Sequence, residues 1–131
     1  MGQQQLLLIV LGVIIVGIAV VVGINVFTAS SAEANRDAVI SDMTNLASMA
    51  QQYYRKPSAL GGGGNSFAGW TIPTQLRSNA NGSYTVDNGF TATGTNSITI
   101  VGTGVEVVDG SPVKATMYVN PSAIDSTVID N

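Results

Sequence analysis

"LLLIVLGVIIVGIAVVVGI", residues 6–24, runs without a charged or strongly polar side chain, and the chain carries no Asp, Glu, Lys or Arg before Glu33. At about 1.5 Å per residue a helix over this stretch is about 28 Å long, close to the hydrocarbon thickness of a bilayer. A secretory signal peptide fits less well, because it carries a basic leading region and a shorter apolar run before a small-residue cleavage site. Here "MGQQQ" leads with no Lys or Arg, although "TASSA" at 28–32 has the small residues of such a site. Myristoylation at Gly2 is disfavoured by Leu6, which stands where Ser or Thr is wanted.

Working outward, the helical pattern continues past the apolar run. Val39, Met43, Leu46, Ala50 and Tyr53 recur at alternating intervals of four and three, and Ile40, Ala47 and Tyr54 widen the stripe. Asn35, Asp37, Ser41, Asp42, Asn45, Ser48 and Gln52 are expected on the opposite face. No proline occurs before Pro57, while Arg55 and Lys56 suit the negative end of the helix dipole. The pattern predicts one helix of about 50 residues, about 80 Å long, apolar all round in its first half and amphipathic in its second.

"GGGG" at Gly61–Gly64 has neither the preceding strand nor the following Lys and Ser/Thr of a phosphate-binding loop, and reads as a flexible connector. Short antiparallel strands follow. "SYTV", "DNG" and "FTAT" read as a hairpin, "SITIVG", "TG" and "VEVV" as another, and "DGSP" leads into "VKATMYV". Alternation puts Ile98, Ile100, Val105, Val107, Val113, Ala115, Met117 and Val119 on one face, to be laid over the stripe Val39–Tyr53. "SAIDSTVIDN" after Pro121 is expected to add an edge strand. The fold class predicted is α+β: a long N-terminal helix over 1–56, of which 1–27 is the apolar part and 28–56 the amphipathic part, a Gly-rich connection over 57–82, and a small antiparallel sheet over 83–131.

Five basic and eight acidic residues give a net charge of −3, and the basic ones are too few and scattered to track a nucleic-acid backbone. With no His and no Cys, and carboxylates in no dyad or metal-binding cluster, the chain is not expected to be an enzyme or to hold a metal or cofactor. "NGS" at Asn81–Ser83 has the form of an N-glycosylation acceptor, but a plain surface turn is the favoured reading. The charge bias across the apolar run conflicts with an outward-facing domain, since its N-terminal side lacks basic residues. A short basic leader removed before Met1 resolves the conflict, and makes Met1 the expected processed N-terminus.

An apolar first helical half, a continuous amphipathic second half and a small antiparallel sheet together resemble the type IV pilins, subunits of type IV pilus-like filaments. The resemblance covers the whole chain as architecture and is most specific over its first 55 or so residues. It implies a structural major subunit of an extracellular filament with roles in adhesion, surface attachment or motility. The chain would reside in the inner membrane before assembly, be processed and methylated at Met1 by a prepilin peptidase, and be polymerised with itself by the pilus assembly machinery. A membrane-anchored minor pilin or pseudopilin of a secretion or DNA-uptake system is the alternative. Leu6, Leu7, Ile9, Val10, Val13, Ile14, Gly17, Val20, Val21 and Ile24 would pack the filament core. Gly12, Gly17 and Gly23 read either as ordinary membrane-helix glycines or as points of close approach or local unwinding in the filament. Gln5 stands where the family usually has a glutamate, and a proline near position 22 is absent.

Overall fold

The structure, a computed structural model, describes residues 2–129. It is α+β: helix α1 (Gly2–Arg55) is followed by an antiparallel sheet of five strands, β1 (Ser78–Asn79), β2 (Gly82–Val86), β3 (Ile98–Val108), β4 (Ser111–Val119) and β5 (Ile124–Ile129). The strands lie in sequence order and pair as neighbours throughout.

Helix α1 has no interruption at Gly12, Gly17 or Gly23 and ends where Pro57 stops it. Its last carbonyls are capped by the glycine run, which is therefore not the slack connector that composition suggests. Gly63 N–H donates to Tyr53 O at 2.8 Å, Gly64 N–H to Lys56 O at 3.0 Å and Asn65 N–H to Tyr54 O at 2.8 Å. A side chain at Gly63 would collide with the Ser66 carbonyl, and Gly61 sits at φ +84°, so the fold-back needs residues without a Cβ.

The sheet covers the helix only from its middle onward. Val39, Met43, Leu46, Ala47 and Ala50 are buried against Ile98, Ile100, Ala115, Met117 and Val119, and Tyr53 and Tyr54 are partly buried beside them. Phe67, Trp70, Ile72 and Ala92 join this core from the connecting segments, with the Tyr54 and Phe67 rings 4.8 Å apart. Along β3 the helix-facing positions run Ile98, Ile100, Gly102, Gly104. The taper lets the helix approach: a Cβ at Gly102 would lie 2.6 Å from Val39 and 2.7 Å from Met43, and one at Gly104 would strike Asn35.

Three local expectations change. "FTAT" does not return along β2, whose two edges are taken by β1 and β3; it pairs instead with residues 69–72, through Ile72 N–H to Phe90 O at 2.9 Å and Ala92 N–H to Trp70 O at 2.6 Å. The turn before it does form, with Asp87 and Asn88 both at positive φ, as a tight hairpin turn of this hand requires. "SITIVG" and "VEVV" form one strand rather than two, broken in register between Thr103 and Val107, where three β3 residues face the single residue Val113. Because both belong to one strand whose even-numbered positions face the helix, Val105 and Val107 fall on its outer face, 58% and 52% exposed instead of buried.

Candidate functional site

Two features stand out once the core is placed: a bare apolar helix and the polar junction that holds the domain to its base. Every described residue through Ser30 is exposed; coverage starts with Ser31, half-buried, and Ala32, buried. Within it the large side chains from Leu6 to Phe27 are between 53% and 74% exposed. All the residues expected to pack a filament core, Leu6, Leu7, Ile9, Val10, Val13, Ile14, Gly17, Val20, Val21 and Ile24, lie on this cylinder. No atom lies within 4 Å of where a Cβ would stand at Gly12, Gly17 or Gly23, so the chain's own packing does not require those glycines. Thr28 fits at the border because its hydroxyl donates to Ile24 O at 3.0 Å, inside its own helix. The segment is long and apolar enough to cross a membrane by length and composition. Met1 lies outside the described residues.

The junction is built from polar side chains on the helix face that periodicity assigned to solvent. Asn35 is buried, with its Oδ1 accepting from Val105 N–H at 3.1 Å and Glu106 N–H at 3.2 Å, the two amides freed by the β3 bulge. Its Nδ2 donates to Asn81 O at 2.8 Å. One helical span further on, Asp42 Oδ2 accepts from Tyr84 OH at 2.6 Å, Asn79 Nδ2 at 3.0 Å and Asn81 Nδ2 at 3.1 Å. Partial burial pushes the Asp42 carboxyl upward, but the Tyr84, Asn81 and Asn79 donors outweigh it and hold it below the usual carboxylate range. Tyr84 is raised in turn, by burial and then by the same carboxylate.

Asn81, a candidate glycan acceptor from its "NGS" context, is half-buried in the turn between β1 and β2, and the amide nitrogen a glycan would occupy is the one donating to Asp42. A second carboxylate, Asp87, ties its own loop: Oδ2 accepts from Thr93 N–H, Thr93 Oγ1 and Gly94 N–H, and Oδ1 from Thr99 N–H at 3.0 Å. Burial opposes its ionisation, and the Thr93, Thr99 and Gly94 amides more than offset that, so its carboxyl is also held low.

A cavity of about 230 Å³ lies beside the junction, lined by Asp42, Asn45, Leu46, Met49, Leu76 and Tyr84 among others. Among the described residues no group of three or more His, Cys, Asp or Glu is placed to hold a metal ion, and no buried side-chain polar atom lacks a hydrogen-bond partner. Among the described residues the domain's buried polar side chains are thus satisfied, while the long apolar cylinder is left without cover.

No family model matches the chain, no curated protein matches it, and no solved structure matches it.

Proposed function

We propose that this chain is the structural subunit of a type IV pilus-like filament, held in a membrane by its apolar helix before assembly and bundled through that helix afterwards. One observation carries the reading: a closed, polar-satisfied domain stands on a helix whose first half is apolar on every side and exposed on every side. A surface of this size does not remain in water. Lipid can cover it in one copy, and the same segments of neighbouring copies can cover it in a polymer. Removing several hundred Å² per subunit from water, at about 25 cal/mol per Å², is worth on the order of 10 kcal/mol before the entropy of association. The role proposed is structural rather than catalytic, with copies of the chain and the membrane as partners and the cell surface as its place of work.

Lipid asks only for hydrophobicity, whereas helices packed against helices also ask for shape. Gly17→Phe and Val20→Asn are therefore expected to leave the protein in the membrane at normal levels and to abolish filaments, with Ser122→Ala, in an exposed turn, changing neither. Filaments counted by negative-stain microscopy, set against membrane levels from immunoblots, make the test. Normal filaments from both core variants would reduce the segment to an anchor.

A further inference from the structure

The domain has two ends along the helix axis, and they differ in character. Gly102 meets Val39 and Met43 while Gly104 meets Asn35, so β3 runs back down the helix toward the bare segment. The β3–β4 hairpin, turning at Asp109 and Gly110, is consequently the foot of the domain, at the level where helix coverage starts with Ser31 and Ala32. The foot presents Val105 and Val107, exposed on the outer face of β3, together with Glu106 and Asp109; Glu33 and Asp37 are exposed on the helix above it, with Arg36 and Lys114 at the same end. The opposite end, the head, presents exposed Arg55 and Lys56 and the 3₁₀ turn Ser58–Leu60, whose Leu60 is 67% exposed. Two described carboxylates belong to the head and both are engaged within the domain: Asp125 takes the Asn120 amide, and half-buried Asp87 takes the Thr93, Gly94 and Thr99 amides. Among the described residues the side chains of Lys56, Glu106 and Asp109 have no partner within the chain.

We propose that the foot of one copy seats on the head of another, with the Val105–Val107 hairpin against Leu60 and the Glu106 and Asp109 carboxylates against Lys56. This rests on the filament reading and specifies its axial contact. The lengths agree with it. From Ala32 to Arg55 the covered helix is about 36 Å tall, and the bare helix from Gly2 to Ser30 is about 43 Å. A copy raised by one domain height therefore lays its bare helix alongside the full height of the domain below, and its foot arrives at that domain's head. Apolar side chains then meet apolar ones and acids meet bases, and the head-to-tail direction gives a contact that repeats without closing on itself.

The two lysines of the chain, Lys56 and Lys114, make the contact addressable by zero-length carbodiimide coupling of sheared filaments of the full chain. The expected product is a ladder of covalent oligomers in which peptide mapping joins Lys56 to Asp109 or Glu106 of another copy. Lys56→Arg keeps the charge and is expected to keep the filaments while losing the ladder; Lys114→Arg should keep both. Intact filaments that yield no Lys56-to-foot linkage, or a linkage through Lys114 alone, overturn the stacking and leave the filament reading standing. Absence of filaments from the unaltered chain overturns the filament reading, and the stacking with it. As a second measure, Lys56→Glu and Asp109→Lys should each reduce filament recovery after shear several-fold, and the two together should restore most of it. Failure of the pair to restore recovery also overturns the proposal.

Discussion

Asp42 ties the helix to the β1–β2 edge through one oxygen that receives three donors. Asp42→Ala removes the acceptor and leaves the Tyr84 hydroxyl, on a ring only 1% exposed, without its partner. The expected cost is about 2 kcal/mol, the usual size for orphaning a buried donor, while Tyr84→Phe removes the donor instead and should cost about 1 kcal/mol. Urea unfolding of the full chain in detergent micelles, followed by circular dichroism, checks the order of the two. Acidity adds a second test at this scale. Asp42 and Asp87 both have folded-state values below those of the unfolded chain, near 3.9 for an aspartate. Each therefore stabilises the fold above about pH 4, and the contribution disappears as pH falls through the lowered folded value. The melting temperature should be level from about pH 7 to 5 and fall below about pH 4. Asp87→Asn should lower it at neutral pH and make the acid fall shallower; an unchanged acid slope would refute the linkage.

At the scale of elements, the helix–sheet contact depends on β3 being empty where the helix comes nearest. Gly102→Ala pushes against Val39 and the flexible end of Met43, and overpacking of this kind costs about 1–3 kcal/mol. Gly104→Ala pushes against the Asn35 oxygen that receives the Val105 and Glu106 amides, so it should disturb packing and hydrogen bonding together and cost more than its neighbour. Comparing the urea midpoints of the two variants decides this. The contact also marks how far the sequence could be read. The helix was legible because the apolar stripe Val39–Tyr53 has the period of a helix, and β4 because Val113, Ala115, Met117 and Val119 alternate and are all buried. Asn35 and Asp42 were not, since periodicity sorts residues by hydrophobicity and cannot distinguish a polar side chain that faces water from one that faces amides. The bulge escaped for a related reason. It answers to Asn35, 70 residues away in sequence from Val105, and reading "SITIVG" and "VEVV" as two strands about a turn, rather than as one alternating strand, placed Val105 and Val107 on the wrong side. Phe67, Trp70 and Ile72 sit in a segment whose glycines suggested a connector, and only the fold-back onto the helix end reveals them as core.

The whole molecule divides into a part that folds on itself and a part that is completed by others. The clustered core runs from Val39 to Val119, and no described residue before Ser31 is even half-buried. Removing residues 1–27 should therefore take away no core contact, only one end of a helix whose covered part starts at Ser31. The truncated chain is expected to be a soluble monomer with the sheet signal of the full chain in circular dichroism. Its melting temperature should lie within about 4 °C of the micelle-bound full chain, since a change of up to roughly 0.5 kcal/mol moves a domain of this size by about 2–4 °C. The full chain should behave oppositely when detergent is diluted away, associating through the exposed cylinder into large assemblies that sediment, because several hundred Å² of apolar surface then has only other copies to cover it. Analytical ultracentrifugation of both proteins across the same dilution separates the two behaviours. A truncated chain that unfolds or self-associates would show that the bare helix is part of the domain's own stability. A full chain that stays monomeric without detergent would show that the cylinder is not the surface through which copies meet.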